Sequence, residues 1–526
     1  MKKIKLLVLS LGFISFSFSQ TLVTVKEGSS LKINSGTSFT NSDIVLKSVS
    51  DSYSNLILDG SLGLSPADID YDRYVNVIGS GAPGNGGNDL VSFPVLMAGD
   101  DFEDFLAYGN NATNIASNPS DANEYAFGPY VNTDPTGYIN FNNGDNNELT
   151  IGKGYRAATV DPDLDTFGET IRFTGTVSGI DETIDITSAE NRWNTVGNPY
   201  PSYIDSQLFL DENIDVDAAN STLDPDAAAI YAYNAGTVTG ANTIGNFTII
   251  NKIANTNINI APGQGFFVSD NPLNTQQLQF TLAMRTFDGT DDFIQGKSSN
   301  QNYNLRLLAS NDTNSYATEF YFSKNTTDGL DVGYDAAIHS AQNSNFMLYS
   351  HLVANNSGRN MAIQALSDNF DEKVIPLGVK ATQGQQITIG IENSDLPVDV
   401  QLYLEDNLSN SFTLLNEGNY SFTAEKNLDG TGRFFLRTTD ASLSAPVADD
   451  NSLNVFSARK QIFIKGQLLG QSQLNVYDIR GRNVFSHQLN SNRTNNKVDV
   501  SSLISGVYIL KVSSDTQKRI QKIIIK

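Results

Sequence analysis

The chain has 526 residues and a formal net charge of −24, from 34 Lys+Arg and 58 Asp+Glu. It is long enough for three or four domains, and its acidity argues against a nucleic-acid partner, because phosphates are bound by Lys and Arg. It contains no cysteine, which excludes disulfides and a cysteine-linked lipid anchor.

The first 19 residues have the pattern of a secretory signal peptide. Three lysines within the first five residues precede an apolar run from Leu6 to Phe18. We expect cleavage between Ser19 and Gln20. The apolar run is shorter than the roughly 20 residues that a membrane-spanning helix needs, and no comparable run follows. The sequence therefore predicts export to the periplasm and a mature chain that does not span a membrane.

Residues 20–70 contain short, evenly spaced runs of strand-forming residues separated by turn formers. The pattern is compatible with a small sheet and with one or two turns of a β-helix.

Residues 71–295 contain a repeat that predicts an internal duplication, with copies at 71–190 and 191–295. Glycine turns and strands also recur by composition alone, so this alternative stays open. Four short blocks occur twice in the same order: Tyr74–Gly79 and Trp193–Gly197, Gly128–Tyr130 and Ile230–Tyr233, Gly152–Tyr155 and Gly263–Phe266, Ile171–Thr174 and Leu278–Thr281.

Residues 300–440 alternate between apolar and polar side chains in eight runs punctuated by Asn, Asp and Gly. This density of strands predicts an antiparallel β-sandwich. Residues 441–452, rich in Ser, Ala and Asp, are predicted to be a linker.

Residues 453–526 differ from the rest of the chain in charge. They carry 12 Lys+Arg and 3 Asp+Glu, a net charge of +9, whereas residues 20–452 carry 19 and 55, a net charge of −36. Short runs rich in β-branched and aromatic residues predict a small all-β module. A cationic module on an anionic chain is suited to recognition by an acidic surface.

Four ordered blocks in this module, Val476–Arg482, Val498–Leu503, Gly506–Val512 and Lys522–Lys526, resemble the type A C-terminal sorting domain of the type IX secretion system. The resemblance implies an immunoglobulin-like sandwich that an outer-membrane translocon recognises. It also implies removal of the domain and either release of the cargo or its attachment to lipopolysaccharide at the cell surface. The residues of the motif are Tyr477, Asp478, Gly481, Leu503, Gly506, Tyr508, Lys522 and Lys526.

The sequence carries few signals of chemistry. It has neither a Gly-x-Ser-x-Gly elbow nor a phosphate-binding Gly-Lys-Ser/Thr loop. The acidic composition permits calcium, and no cofactor is otherwise expected. The weak candidate ligands of calcium are Asp211, Asp215 and Asp217, which lack the glycine and terminal glutamate of an EF-hand loop.

Two histidines and a group of aromatic residues are further site candidates. We interpret His339 and His351 as surface or loop residues, because their spacing fits no zinc motif. Aromatic residues around Trp193 are compatible with a sugar-stacking platform, although core packing is favoured. The tyrosines of this group are Tyr200, Tyr203, Tyr231 and Tyr233.

Together these patterns predict an all-β chain of antiparallel, sandwich-like domains in tandem that ends in a small immunoglobulin-like sandwich. The preferred function is that of a non-catalytic, adhesin-like protein, secreted or held at the cell surface, that binds a glycan or protein ligand. Two alternatives stay open: a secreted polysaccharide-active enzyme that uses carboxylates within residues 71–290, and a structural component of a surface layer.

Overall fold

Strands account for most of the regular structure in the computed structural model of the chain, and the all-β prediction is confirmed. Within the described residues, no helix is long and apolar enough to cross a membrane. The structure describes residues 22–39, 43–49, 52–59, 61–62, 69–77, 88–134, 137–160, 168–234, 246–289, 302–339, 345–370, 373–440, 454–458, 460–465, 468, 471–478, 482–490, 495–513 and 518–525.

The chain divides into two compact units, residues 1–439 and residues 440–526. The predicted signal peptide and the predicted linker at 441–452 lie outside the described residues.

The first unit begins with a short parallel β-helix. In this segment β1 pairs in parallel with β4, and β4 with β8, while β2 pairs with β6 and β3 with β7. Three faces are therefore built, each from strands that follow one another by one turn of the chain. Of the two arrangements compatible with the sequence of residues 20–70, this is the β-helix. The strands are β1 (Leu22–Val25), β2 (Ser30–Ile33), β3 (Ser38–Phe39), β4 (Asp43–Val49), β5 (Ser52–Tyr53), β6 (Asn55–Leu58), β7 (Ser61–Leu62) and β8 (Ile69–Asn76).

The interior of this β-helix is filled by apolar side chains that recur on successive turns. Ile44, Leu46, Leu56 and Ile69 are almost completely buried in one core. Because each strand is only a few residues long, it gains stability mainly by stacking on its neighbours rather than by itself.

The next segment holds two sheets with the same connectivity. The first sheet has the order β9-β13-β12, and β14 pairs antiparallel with β8. Its elements are β9 (Asp89–Val91), α1 (Phe102–Ala107), α2 (Asn111–Asn114), β10 (Ser117–Asn118), β11 (Asp121–Tyr125), β12 (Phe127–Pro129), β13 (Tyr155–Ala157) and β14 (Gly168–Gly175).

The second sheet has the order β16-β20-β18-β19. Its elements are β15 (Glu182–Ile184), β16 (Trp193–Gly197), β17 (Tyr203–Ile204), α3 (Ser206–Asn213), β18 (Ile230–Asn234), β19 (Asn246–Ile250), β20 (Gly265–Ser269), β21 (Leu278–Phe280) and β22 (Arg285–Thr286), with single 3-10 turns at Pro225–Ala227 and Leu282–Met284.

The orders β9-β13-β12 and β16-β20-β18 match once β19, an additional strand that pairs with β18 in the second sheet, is left out. This shared order supports the duplication, which stays a prediction. The strand that corresponds to β16 is β9, not β8: β8 lies in the β-helix sheet, so the sequence match at Tyr74 does not identify the equivalent strand.

The first unit ends with an 11-stranded sheet of order β31-β30-β33-β28-β26-β27-β24-β23-β29-β32, with β25 pairing to β27. β24 pairs with β27 in parallel, whereas β23 pairs antiparallel with β24 and β29, and β28 with β26 and β33. The strands are β23 (Tyr303–Ser310), β24 (Ser315–Ser323), β25 (Ala336–Ala337), β26 (Met347–Ser350), β27 (Met361–Ser367), β28 (Val374–Lys380), β29 (Gln386–Ser394), β30 (Val400–Asp406), β31 (Ser411–Leu414), β32 (Tyr420–Thr423) and β33 (Phe434–Asp440).

This sheet rolls around its own core. The hydroxyl of Tyr420, on β32 at one end of the sheet order, donates to Asp406 Oδ2 at 2.7 Å, at the end of β30 near the other end. Leu305, Phe320, Leu377 and Leu404 are fully or almost fully buried in the enclosed core.

A second core joins the rolled sheet to the duplicated region. Trp193, Tyr231 and Phe267 pack in one buried cluster with Leu352 and Met361. Residues 191–295 and 300–440 therefore contribute to a common interior within one compact unit.

The second unit is a small sandwich of two sheets, β34-β35-β38 and β37-β36-β39-β40. Alternate residues such as Ile462, Leu474, Val476 and Leu510 form its core. The strands are β34 (Asn454–Ala458), β35 (Gln461–Lys465), β36 (Gln473–Tyr477), β37 (Asn483–Gln488), β38 (Asn495–Asp499), β39 (Gly506–Ser513) and β40 (Lys518–Ile525).

Candidate functional site

A cleft of about 600 Å³ opens between the second sheet of the duplicated region and the rolled sheet. One wall comes from the start of β16 and the end of β20, and the other from β26, the loop before β27, the end of β28 and the turn at Asp429. Polar residues that are half-buried or exposed form its rim: Asn191, Arg192, Arg359, Asn360, Lys380 and Asp429.

The floor of the cleft is aromatic and buried. The ring of His339 lies 4.1 Å from that of Trp193, 4.5 Å from Phe267 and 4.6 Å from Phe247, measured between centroids. Burial lowers the pKa of His339 to about 3, so the imidazole is neutral at physiological pH. His339 lies in the loop after β25, as expected, but its interpretation as a surface residue is wrong: the side chain is fully buried, and aromatic side chains of the sheet β16-β20-β18-β19 enclose it.

Trp193 and its neighbouring tyrosines are core residues. Trp193 is 4% exposed, and Tyr200, Tyr203 and Tyr231 are buried. Their faces are used in packing, as in the edge-to-face contact of Trp193 with Tyr231 at 4.7 Å. They do not form an open stacking platform.

Tyr349, on β26, owes its position to a glycine on the neighbouring strand. A Cβ atom at Gly378 would lie 2.0 Å from Tyr349 Cε2. A side chain at residue 378 would therefore displace the ring that forms this part of the cleft.

Two arginines on the rim share one buried carboxylate. Asp224, 1% exposed by side chain, accepts a hydrogen bond from Arg192 Nη1 at 2.9 Å, and Arg359 Nη2 lies 3.6 Å from the same oxygen. Ser269 Oγ also donates to it, at 3.2 Å. The carboxylate fixes both guanidinium groups and offsets their mutual repulsion.

The rim amides are also held in place. Asn191 accepts a hydrogen bond from the amide of Trp193 at 2.9 Å and donates to the carbonyl of Asn132 at 3.0 Å. The Oδ1 of Asn360 lies 2.9 Å from Nε2 of His351. Fixed amide groups of this kind offer donors and acceptors without a large entropic cost on binding.

Two more carboxyl groups, Asp226 and Asp270, lie near the arginines, and a third, Asp335, lies near Asp226. Burial raises the pKa of Asp226 and of Asp270, and the charge of Asp224 raises both further. Burial raises the pKa of Asp335 to about 8, although the amides of Asp331 and Ala365 donate to its two oxygens.

The predicted calcium ligands do not form a cluster. Asp211 forms an ion pair with Lys252 at 3.0 Å. Asp215 accepts from the amide of Asp217, and Asp217 accepts from the amide of Ala219. In the described part of the chain, no group of three or more His, Cys, Asp or Glu is arranged to hold a metal ion. Calcium binding at these residues stays a prediction.

The predicted sorting residues lie mainly around β36 and β39. Tyr477 pairs with Ile509 across these strands, and Asp478 accepts from the amide of Arg482 at 3.0 Å next to the hairpin turn. Leu503 is in the core, and the Tyr508 hydroxyl donates to the Ile504 carbonyl at 2.8 Å.

The remaining motif residues are at strand ends or outside the described part. Gly506 begins β39, and Lys522 is exposed on β40. Gly481, Lys526, Ser19 and Gln20 lie outside the described residues.

A family model described as "Domain of unknown function (DUF8693)" matches residues 107–437, which is more than half of the chain. The chain belongs to this family. The DUF8693 region includes both walls of the cleft, from Asn191 to Asp429, so the second copy of the duplicated region and nearly all of the rolled sheet fall within a single family unit.

A second family model, described as "Secretion system C-terminal sorting domain", matches residues 458–526. It confirms that the DUF8693 region is the cargo of a type IX secretion system, exported to a secreted or cell-surface location. The sorting domain implies interaction with the secretion machinery.

A solved structure titled "Biofilm associated protein - BSP domain" is similar at 11% identity, over 87% of this chain and 95% of that chain, with a TM-score of 0.14. A superposition this poor carries no argument about fold or function. No curated protein matches the chain.

The cleft is a site that the sequence did not indicate. Arg192, Arg359 and Lys380 are far apart along the chain, and none belongs to a motif. The only local signal was Trp193, followed by the Gly197-Asn-Pro-Tyr-Pro-Ser202 turn. This turn fixes the end of β16 through the Asn198 side chain, which donates to the Ser202 carbonyl at 2.7 Å.

Proposed function

We propose that the exported DUF8693 region is a non-catalytic, adhesin-like protein that binds a glycan in the cleft between its second sheet and its rolled sheet. The observation that carries this proposal is the composition of the rim: guanidinium, amide, ammonium and carboxylate groups surround an opening of about 600 Å³. That volume is in the range of small-molecule sites and is enough for a few sugar rings.

The chemistry of the rim fits a polyhydroxylated ligand. Planar groups such as the guanidinium of Arg359 and the amide of Asn360 can each make two hydrogen bonds to neighbouring hydroxyls. Several of these groups are fixed by bonds to Asp224, Trp193 and His351, so less entropy is lost when a sugar is bound.

A binding experiment tests the proposal. The mature chain is applied to an array of bacterial, algal and plant polysaccharides, beside Arg359→Ala and the control Lys324→Ala. Lys324 is an exposed cation that does not line the cleft. We expect retention of at least one glycan by the wild type and the control, with a loss of about tenfold or more for Arg359→Ala. Equal binding by the two variants would contradict the cleft as the site.

An assay of reducing ends separates binding from catalysis. Hydrolysis by two carboxyl groups requires them about 5–10 Å apart across the bond that breaks, and the one carboxylate among the described lining residues is Asp429. We expect no release of reducing ends from any glycan that is bound. Release that Asp429→Asn abolishes would overturn the non-catalytic proposal.

A further inference from the structure

The cleft has the opposite charge bias from the region that contains it. Residues 20–452 carry 19 Lys+Arg and 55 Asp+Glu, yet the charged residues that line the cleft are Arg192, Arg359 and Lys380 against Asp429 alone. Cations are thus concentrated where a ligand would contact the protein. Neighbouring cations repel each other, so a ligand that neutralises them is the simplest reason to collect them.

The arginine pair has capacity for an anion beyond its internal partner. Asp224 supplies one negative charge, and it contacts both guanidinium groups through one oxygen. The two side chains are still 40% and 35% exposed. Each guanidinium has five N–H donors in a planar fork that suits carboxylate or sulfate oxygens.

Screening restricts the effect of the remaining acidic residues. At physiological ionic strength the Debye length is about 8 Å, so exposed carboxylates elsewhere on the unit act weakly on a ligand in the cleft. Asp226 and Asp270, which lie near the arginines, are too buried to be screened in this way, but they do not line the cleft, and burial raises the pKa of each, which favours the neutral form. Groups in direct contact with the ligand, which are mainly cationic, therefore determine its preferred charge.

We infer that the ligand of this cleft is an acidic glycan, whose carboxylate or sulfate group is bound by Arg192 and Arg359 with Lys380 beside them. This inference rests on the proposed function and specifies the ligand class for the same site.

Three polysaccharides of similar size test the inference: dextran, which is uncharged, polygalacturonate, which carries carboxylates, and dextran sulfate. Each is titrated calorimetrically into the mature chain and three variants, Arg359→Lys, Arg359→Gln and Lys380→Gln, with Lys324→Gln as the control. Circular dichroism and thermal unfolding establish that each variant is folded.

We expect one of the two acidic polysaccharides to bind at least tenfold more tightly than dextran. Arg359→Gln and Lys380→Gln should each lose about tenfold or more, Arg359→Lys should lose less than Arg359→Gln, and Lys324→Gln should match the wild type. The preferred acidic polymer distinguishes carboxylate from sulfate as the bound group.

Two results would overturn the inference in different ways. If dextran binds as tightly as the acidic polymers and Arg359→Gln weakens all of them equally, the cleft binds glycans without selecting charge, and only the inference falls. If none of the three binds and the array also shows no glycan bound, the proposed function falls with it.

Discussion

Buried ionisable side chains in the first unit are of two kinds, those that are held neutral and those that are held charged. His339 and Asp335 are of the first kind, because burial is the main cause of the pKa shift of each. Their effects on stability have opposite directions. Protonation of the imidazole is disfavoured in the folded chain, whereas protonation of the carboxyl group is favoured.

For His339 the expected effect is a loss of stability in mild acid. Its pKa is about 3 in the folded chain and near 6.5 when unfolded. The free energy of unfolding is therefore unaffected by this group above about pH 6.5 and falls progressively as the pH falls toward 3, because the unfolded imidazole takes up a proton that the folded one does not. At pH 5 this lowers the free energy of unfolding by about 2 kcal/mol.

Asp335 has the opposite effect of pH on stability. Its pKa of about 8 exceeds the unfolded value, so it destabilises the folded chain increasingly as the pH rises from about 4 to 8.

Comparison of the wild type with His339→Phe isolates the histidine, because both chains contain Asp335. Unfolding in urea is followed by the fluorescence of the single tryptophan, Trp193. The stability of the wild type relative to His339→Phe should fall by about 2 kcal/mol between pH 7 and pH 5. Parallel pH profiles would contradict this account.

Gly378 gives a steric prediction at the same scale. A Cβ atom there would meet the Tyr349 ring at 2.0 Å, so Gly378→Ala should destabilise the unit by about 1–3 kcal/mol and weaken glycan binding. At Gly418 a Cβ would meet nothing within 4 Å, and Gly418→Ala should leave both properties nearly unchanged. Thermal unfolding and calorimetric titration of the two variants measure the difference.

Among the elements, the rolled sheet depends on a polar contact between strands that are far apart in its order. Asp406, at the end of β30, accepts hydrogen bonds from Tyr420 on β32 and from the guanidinium of Arg433, at 2.8 and 3.0 Å. Although burial opposes ionisation, the bonds from Arg433 and Tyr420 lower the pKa of Asp406 to about 2. This carboxylate therefore stabilises the closed form of the sheet.

Removal of the Asp406 charge should weaken the contact between β30 and β32. Asp406→Asn is expected to cost about 2–3 kcal/mol at pH 7. The stabilisation is present above the unfolded pKa near 4 and is lost as the pH falls toward 2, so the difference from the wild type should shrink over that window. Glu405, the next residue, pairs with a partly exposed Arg437, and Glu405→Gln should cost less than about 1 kcal/mol. Urea unfolding at pH 7 measures both free energies of unfolding. Equal losses for Asp406→Asn and Glu405→Gln would contradict the stabilising role of Asp406.

For the whole molecule, we expect export to depend on the second unit and the proposed glycan binding on the first. A chain that lacks residues 453–526 should accumulate in the periplasm, because the machinery then has no sorting domain to recognise. Cell fractionation and immunoblotting measure the distribution. The complementary experiment fuses residues 453–526 to an unrelated periplasmic reporter, which should then appear outside the cell. Normal export of the truncated chain would contradict the requirement for residues 453–526 in export.

Features that depend on residues close together in sequence could be predicted, whereas features that depend on contacts between distant strands could not. The sorting domain was recognisable because its strands and turns, such as Val476–Arg482 and Gly506–Val512, are continuous in sequence and local in structure. Burial of His339 depends on Trp193, Phe247 and Phe267 from distant strands, so a motif search around the histidine could not reveal it.

The cleft could not be predicted from the sequence for the same reason. Asp224, Arg192 and Arg359 have no common motif, and 167 positions separate the two arginines in the numbering. Only the packing of β16 and β20 against the region before β27 brings them together.

Strand β8 has a kinetic consequence for the exported chain. It belongs to the parallel β-helix through β4 and, along its other edge, pairs antiparallel with β14, as in the register Ile69↔Gly175. The edge of β8 that faces β14 therefore has amide and carbonyl groups without strand partners until residues about a hundred positions later have arrived. Since closing such long loops slows folding, we expect residues 69–175 of the emerging chain to remain unfolded and competent for transport at least until Gly175 has crossed the inner membrane.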